Sequence, residues 1–160
     1  MSRRISNDPQ EKTFEDFALG DVVITRGRTV DIGDISLFSG LTGDHYPLHT
    51  DEEYGKSTRF GTRIAHGPLT FALAVGLVGM SGFYGNAITA LVEVKSLRAL
   101  KPVAPGDTLT VHAEVVELSE GRNPKYGTLH VNYSVHNQRE EEVMVFLQIM
   151  LARRHAPQGP

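Results

Sequence analysis

Hydrophobic residues alternate with polar ones along several stretches in the second half of the chain. The alternation runs through residues 109–116 and 129–136, and more briefly through residues 92–95. Because successive side chains of a strand point to opposite faces, this period of two predicts strands with one buried face. Residues 143–151 are apolar at nearly every position and predict a more enclosed strand. Short turn segments separate these stretches, so we expect antiparallel pairing.

The first half of the chain mixes strand and helix patterns. Residues 21–30, rich in Val, Ile and Thr, predict a strand that bends at Gly27. Asp31 has the position of a helix N-cap, and the apolar spacing after it predicts a short helix ending near Gly40 or Gly43. Residues 44–49 are interpreted as a non-helical loop because they contain Pro47.

Two further helices are predicted in this half. Thr50 followed by Glu53 resembles a capping box that opens a short helix. A second helix is predicted over residues 68–80, where Pro68 suits the first turn. Since this segment carries no charge, we expect it to be buried on all sides. An apolar helix followed by consecutive strands predicts an α+β fold in which a curled antiparallel sheet surrounds the helix.

Composition narrows the class of protein. A length of 160 residues favours one domain, and the absence of cysteine excludes disulfides and thiol catalysis. A net charge of −3 with mixed signs favours neither nucleic acid nor an anionic membrane as a partner. No apolar run follows the basic residues near the N-terminus, so we expect no signal peptide and a cytoplasmic location. Residues 1–13 and 155–160 are predicted to be flexible ends of a domain spanning residues 14–154.

Asp44 and His49 form the strongest candidate for chemistry. They flank Pro47, whose ring stiffens the backbone between them, so both side chains could converge on one small molecule. An imidazole titrates near neutral pH and can accept or donate a proton, whereas a carboxylate can accept one from water or orient the ring. This pairing suits the reversible addition of water to the acyl chain of a thioester, with a proton delivered to the carbon next to the thioester carbonyl. Which of the two residues acts as the base and which as the acid is left open. Taken alone, such a pair is more often a turn aspartate and a surface histidine.

The start of the second helix offers a place for negative charge. Gly67 lies at the helix N-terminus, where free backbone N–H groups and the positive end of the helix dipole meet. A carbonyl oxygen could approach Gly67 closely because the residue has no side chain. His66 is interpreted mainly as a residue that fixes this loop through backbone hydrogen bonds. His112, His130 and His136 lie on the polar phase of strands and show no metal-ligand spacing, so we predict no metal site.

Three motifs resemble the MaoC-like, or (R)-specific enoyl-CoA hydratase, family of hotdog-fold proteins. The first motif covers residues 43–49, Gly-Asp-His-Tyr-Pro-Leu-His. The second comprises Arg-Phe-Gly at residues 59–61 and Ile-Ala-His-Gly at residues 64–67, and the third covers residues 100–107. Their order and spacing are similar to the family from about residue 14 to residue 153.

The resemblance implies a hotdog fold in which Asp44 and His49 are the catalytic dyad and Gly67 supplies the oxyanion-hole N–H. It further implies a 2-enoyl-CoA or 3-hydroxyacyl-CoA substrate, no metal or redox cofactor, and a homodimer or dimer of dimers. Side chains assigned to substrate binding are those of Tyr46, His66, Phe71 and Val75.

Two positions depart from the family pattern. Tyr46 stands where the motif often has Asn, and Val75 where some hydratases carry Ser, so the size of the substrate is left open. A thioesterase on the same fold and a non-catalytic acyl-binding subunit are the alternative functions, since a fold does not determine a function.

Overall fold

A single curled antiparallel sheet forms the framework of the molecule. The computed structural model describes residues 11–120 and 123–155. Within them the strands are β1 (Val22–Ile24), β2 (Arg28–Thr29), β3 (Ile88–Ala99), β4 (Thr108–Glu120), β5 (Tyr126–His136) and β6 (Glu142–Arg153). Their order in the sheet is β1-β4-β5-β6-β3, with β2 pairing β4 beside β1. The pairs are antiparallel, as the short connections predicted.

Four helices precede or separate the strands in the described part of the chain. A 3-10 turn at Phe14–Asp16 leads into the sheet, and the helices are α1 (Ile32–Thr42), α2 (Pro47–Thr50), α3 (Glu52–Ser57) and α4 (Gly67–Gly79). The predicted α+β class, with a curled sheet and a central helix, is confirmed. None of the helices in the described segments is long and apolar enough to cross a bilayer.

The core lies between α4 and the concave face of the sheet. Phe71 of α4 packs edge-on against Phe146 of β6, with ring centroids 4.8 Å apart, and Phe146 stacks on Tyr133 of β5 at 4.5 Å. The hydroxyl groups of Tyr133 and Tyr84 lie 2.7 Å apart and satisfy each other, as buried polar groups require. Burial raises the pKa of Tyr133 to about 12, so this hydroxyl remains protonated over the working pH range.

The predicted strand over residues 21–30 is two strands. Between them, Thr25 leaves the regular ladder, and its hydroxyl accepts a hydrogen bond from the backbone N–H of Val111. A Cβ on Gly27 would lie 3.0 Å from a methyl carbon of Thr108, so the close approach of β4 favours glycine there. The break therefore spans residues 25–27 and includes the predicted bend.

Helix α1 begins and ends as its sequence predicts. Asp31 and Asp34 form a reciprocal capping box at its N-terminus. At its C-terminus Gly43 adopts the left-handed conformation, with φ of 78°, and its N–H donates to the carbonyl of Ser39 at 2.8 Å. This glycine turns the chain directly into Asp44.

The prediction that the apolar helix is buried on all sides is wrong for the single chain. Pro68, Ala72 and Gly76 of α4 are exposed and, being four residues apart, share one face. The opposite face contains the buried residues Thr70, Ala74 and Val78. The sheet curls around one side of α4 only, which leaves a stripe of small residues uncovered.

Both predicted flexible ends extend beyond the described residues, which begin at residue 11 and end at residue 155. The inner residues of those segments are hydrogen-bonded. The Lys12 ammonium donates to the carbonyl of Phe83 at 2.8 Å, and the backbone N–H of His155 donates to Glu15 at 3.1 Å.

Replacing Gly55 tests the packing that holds α3 in place. A Cβ at Gly55 would lie 2.6 Å from backbone atoms of Thr62 and Arg63, so Gly55→Ala must push two segments apart. We expect the free energy of unfolding to fall by about 1–3 kcal/mol, the usual cost of overpacking. Thermal or urea unfolding measures the change.

Gly40→Ala is the matched control. Gly40 is an exposed helical position of α1 at which an added Cβ has no neighbour within 4 Å. Alanine there should raise the free energy of unfolding by about 0.5–1 kcal/mol. A Gly55 variant as stable as the wild type would contradict the close packing of α3 against residues 62–63.

Candidate active site

The segment from Asp44 to Asp51 is partly helical, in contrast to the predicted loop. Pro47 occupies the first turn of α2 (Pro47–Thr50), where its missing N–H has no intrahelical acceptor to lose. Tyr46, directly before it, has φ of −55° and ψ of 135°, the extended conformation that a following proline favours. Pro47 therefore starts a helical turn that carries His49.

The predicted capping residue of the next helix is also corrected. Asp51 caps α3 by accepting a hydrogen bond from the backbone N–H of Tyr54 at 3.1 Å. The hydroxyl of Thr50 instead donates to the carbonyl of His45 at 3.1 Å. Since the helical turn of α2 includes Thr50, the extended backbone that an N-cap needs begins one residue later.

His49 is held by one strong hydrogen bond. Its Nδ1 lies 2.7 Å from the backbone carbonyl of Ile64. A carbonyl can only accept, so Nδ1 carries the proton and Nε2 presents a lone pair in the neutral ring. The ring is half-buried, and its free Nε2 can accept or deliver a proton.

Asp44 is exposed and lies within reach of His49. Its carboxylate accepts a hydrogen bond from the backbone N–H of Tyr46 at 3.2 Å. One ligand-type atom each from Asp44, His49 and His66 lie within 4.8 Å of one another. Two acceptors at that separation can both hydrogen-bond one water placed between them.

His66 is the buried member of this cluster, with 1% of its surface exposed. Its ring stacks on that of His49, with centroids 3.8 Å apart and planes 25° from parallel. Its Nε2 lies 3.0 Å from the carbonyl of Asp44 and 3.3 Å from the hydroxyl of Ser39. The predicted role of His66 in backbone hydrogen bonding agrees with the contact to Asp44.

A metal ion fits this cluster poorly despite the short distances. A histidine binds a metal through an in-plane ring lone pair, and the lone pairs of two stacked imidazoles do not converge on one point. The donor set suits proton transfer better than coordination.

Gly67 lies directly after His66, in the first turn of α4. A Cβ at this position would meet nothing within 4 Å, so neither packing nor backbone conformation requires glycine. The open space belongs to a groove of about 230 Å³ between the start of α4 and the end of β3. Its lining residues are Arg59, Phe60, Ile64, Ala65, Gly67, Thr70, Ala99, Leu100, Lys101, Pro102, Val103, Val143 and Met144.

Tyr46 stands beside the imidazole of His49. Its ring is edge-on to His49, with centroids 6.4 Å apart, and edge-on to Tyr54 at 6.3 Å. A hydrogen bond with Tyr46, together with the charge that Tyr46 would carry, raises the pKa of Tyr54. The two phenols therefore form a polar wall next to His49.

The other predicted substrate-binding residues lie further along α4. Phe71 and Val75 are partly buried and pack against the core cluster. Sequence reasoning did not identify Ser39, Tyr54 or the carbonyl of Ile64 as members of the site. Ser39 and Tyr54 have no motif that marks them, and a backbone carbonyl carries no sequence signal.

The family described as MaoC like domain matches residues 16–137 of the chain. The uncharacterized protein YdeM of Bacillus subtilis is 36% identical over 130 residues, which are 81% of this chain and 91% of YdeM. An (R)-specific enoyl-CoA hydratase of Rhodospirillum rubrum is 36% identical over 110 residues, 66% of this chain and 70% of that protein. Protein MaoC of Klebsiella aerogenes is 36% identical over 103 residues, but the chain spans only 30% of its length.

Solved structures are also similar to this chain. The structure of a monoamine oxidase regulatory protein from Archaeoglobus has a TM-score of 0.87 and 35% identity, covering 93% of this chain and 99% of that one. A Mycobacterium tuberculosis protein described as a double hotdog fold has a TM-score of 0.81 at 22% identity, covering 93% of this chain and 46% of that one. The latter likeness shows the fold, which is the predicted hotdog. The resemblance inferred from the three motifs is therefore confirmed, and the chain belongs to the MaoC-like family of hotdog proteins.

Proposed function

We propose that this protein is a hydratase/dehydratase that interconverts a 2-enoyl-CoA and a 3-hydroxyacyl-CoA, with Asp44 and His49 as its acid–base pair. The observation that carries the proposal is the placement of a carboxylate oxygen and a ring nitrogen within 4.8 Å of each other, next to the start of α4. Relatives named (R)-specific enoyl-CoA hydratase and 3-hydroxybutyryl-CoA dehydratase support the substrate class.

The reaction needs one water and a proton relay. Water held between Asp44 and His49 gives a proton to the pair, and its oxygen bonds to C3 of the enoyl group. The electron pair of the C2–C3 double bond moves towards the thioester carbonyl. Asp44 or His49 then returns a proton to C2. Nε2 of His49 suits either half of the relay because its tautomer leaves that nitrogen free. Dehydration follows the same steps in reverse.

Negative charge develops on the thioester oxygen during this step. We assign its stabilisation to the backbone N–H of Gly67, in the first turn of α4, where N–H groups lack intrahelical acceptors. The groove beside Gly67 offers a path for the thioester and its carrier. Tyr46 and His66, which neighbour His49, and Phe71 and Val75 on α4 remain proposed substrate-binding residues, with Tyr46 limiting the space in front of the imidazole.

A homodimer is the proposed assembly, formed through the free edge of β3. Among the described residues, β3 pairs with β6 alone, which leaves the other edge of a 12-residue strand open. A long open edge invites pairing with another chain. Leu91 and Val92 on this strand are 54% and 55% exposed. A second copy related by a twofold axis would extend the sheet and cover these side chains.

Replacing the dyad tests the proposed chemistry. Asp44→Asn and His49→Ala should each lower kcat for crotonyl-CoA by about 10²- to 10⁴-fold, the usual contribution of general acid–base catalysis. The loss of enoyl absorbance measures turnover. His45→Ala is the matched control, because His45 is an exposed histidine of the same segment outside the cluster, and it should retain wild-type turnover.

The same assay separates the alternative functions. Loss of enoyl absorbance without release of free thiol means hydration, whereas free thiol means that the protein is a thioesterase. If the wild type turns over none of a panel of short, long, branched and dicarboxylic enoyl-CoAs, a non-catalytic acyl-binding role is favoured.

We propose that the reaction needs no metal or redox cofactor, so EDTA should leave turnover unchanged. A loss of turnover that Zn²⁺ or Mg²⁺ restores would refute the absence of a metal.

Gly67→Ala tests the oxyanion site without disturbing the fold. The added methyl group meets no protein atom within 4 Å and enters the groove where the thioester oxygen is placed. We expect kcat/KM to fall at least about tenfold, since loss of one oxyanion donor costs roughly 100- to 1000-fold and a methyl group only obstructs the approach. The melting temperature should not fall below the wild-type value, because the added methyl group is uncrowded and alanine favours a helix more than glycine does. Gly33→Ala, at an exposed and equally uncrowded position in the first turn of α1, should keep full activity.

Mutation of the β3 edge tests the proposed assembly. Light scattering after size-exclusion chromatography should give the wild type at least twice the chain mass of 17.6 kDa. Leu91→Arg places a charge in the proposed interface and should shift the protein towards the monomer. Val116→Arg, at a comparably exposed apolar residue of β4, should not. A monomeric wild type, or an L91R variant of unchanged mass, would contradict the β3 interface.

A further inference from the structure

We propose that His66 is a positioning residue that holds Asp44, His49 and Gly67 in one arrangement. The inference rests on the proposed function, because it concerns the geometry of that site. The three functional groups lie on three different segments: the end of α1, the turn of α2 and the start of α4. His66 contacts the first two and adjoins the third, so one side chain connects all of them.

The first connection is a hydrogen bond to the backbone of Asp44. Nε2 of His66 lies 3.0 Å from that carbonyl, which can only accept, so the proton of His66 is on Nε2. The hydroxyl of Ser39 lies 3.3 Å from the same nitrogen. Ser39 also accepts the N–H of Gly43 through its carbonyl. His66 therefore pins the residue that carries the carboxylate to the last turn of α1.

The second connection is the stack of the two imidazoles. The hydrogen bond to Ile64 fixes Nδ1 of His49, but one bond leaves the ring free to rotate about it. The ring of His66, 3.8 Å away and 25° from parallel, removes that rotation. Phe38 packs on His66 with centroids 5.0 Å apart and holds it in turn. With both constraints, the direction of the free Nε2 of His49 is determined.

The third connection is covalent. His66 is the N-cap of α4, so the next residue is Gly67, whose N–H is proposed to hold the thioester oxygen. The distance between the proton-transfer groups and that N–H therefore depends on the position of a single buried side chain. The thioester oxygen must reach this N–H while C2 and C3 reach Asp44 and His49, so the distance between the two groups must stay constant during the reaction.

A purely space-filling role would not require an imidazole here. Nδ1 of His66 is buried and has no hydrogen-bond partner among the described residues. Leaving a buried polar atom unpaired is unfavourable, and a phenyl ring would fill the same space without that cost. Phenylalanine lacks the N–H that His66 donates to the carbonyl of Asp44. This hydrogen bond is therefore the reason for an imidazole at position 66.

Two substitutions separate the two connections. His66→Gln keeps an amide N–H that can reach the carbonyl of Asp44 but removes the stacked ring. His66→Phe keeps a ring against His49 but removes the N–H. His66→Ala removes both. A small displacement of reacting groups costs up to about 100-fold in rate, so we expect kcat to fall about 100-fold in H66A and about tenfold in H66Q and in H66F. KM should stay within about threefold of the wild type, because His66 exposes only 1% of its surface and contributes to substrate binding through the groups that it holds in place.

His130→Gln is the matched control. His130 is a partly buried histidine of β5 whose nearest charged partner is Glu117, and the cluster of Asp44, His49 and His66 does not include it. Its kcat should equal that of the wild type. A folded H66A variant with kcat within twofold of the wild type, or a loss that appears in KM alone, would overturn the positioning role.

Nuclear magnetic resonance of the histidine side chains supplies a readout that needs no turnover. Long-range nitrogen–proton spectra of the wild type should place the proton of His66 on Nε2 and that of His49 on Nδ1. In H66A, the signals of His49 should broaden or shift because the ring loses its stacking partner and gains freedom to rotate, while the hydrogen bond to Ile64 keeps the proton on Nδ1. A wild-type His66 protonated on Nδ1, or a His49 ring unaffected by H66A, would refute the proposal even if no variant could be assayed.

The activity assay and the nuclear magnetic resonance spectra distinguish a failure of the proposed reaction from a failure of the proposed positioning role. A wild type that hydrates no enoyl-CoA while its histidines show the expected tautomers would refute the proposed reaction and leave the positioning of His49 by His66 intact. A wild type that hydrates crotonyl-CoA, together with an H66A variant that keeps both the wild-type rate and the wild-type His49 signals, would refute the positioning role alone.

Discussion

The burial of one side of α4 against the concave face of the sheet is the constraint on which the rest of the molecule depends. Thr70, Ala74 and Val78 occupy that face, and aromatic contacts connect Phe71 of α4 to β6 and β5. Burying an apolar side chain contributes about 1.5–3 kcal/mol, so the contacts of this face hold α4 against the sheet. Once α4 is oriented, its N-terminus has a determined position at the edge of the sheet. The site is assembled around that end of the helix.

The residues before α4 form the other wall of the site. Each short segment has a local reason for its conformation: a left-handed glycine ends α1, a proline starts α2 and an aspartate caps α3. These signals turn the chain sharply within a few residues. Long-range hydrogen bonds, from His49 to Ile64 and from His66 to Asp44, then join the segment to the start of α4. The site therefore combines locally determined turns with two contacts that only the fold provides.

The exposed part of α4 and the open edge of β3 share a chemical character. Small or apolar residues such as Ala72, Gly76 and Leu91 are exposed there, where polar residues are common on a protein surface. Scattered apolar residues on a surface need no explanation, but an uncovered helix face together with an unpaired strand edge indicates a surface suited to association.

The sequence by itself determined the local elements and the identity of the chemical groups. Period-two patterns located β4, β5 and part of β3, and a continuous apolar run located β6. Capping residues located the ends of α1, and the absence of charge located α4. The motifs around Asp44, His49 and Gly67 indicated the family without any coordinates. These features depend on neighbours a few residues apart, and for that reason a linear pattern carries them.

Only the tertiary structure decided how those groups meet. The stacking of His66 on His49, the carbonyl of Ile64 that selects the tautomer, and the wall formed by Tyr46 and Tyr54 are contacts between separate segments. Pro47 shows the same limit at short range, because a proline can oppose a helix or begin one, and the surrounding contacts select which. Backbone carbonyls and ring orientations leave no mark in the order of residues, since they arise when the sheet curls around α4 and brings distant segments to one end of it.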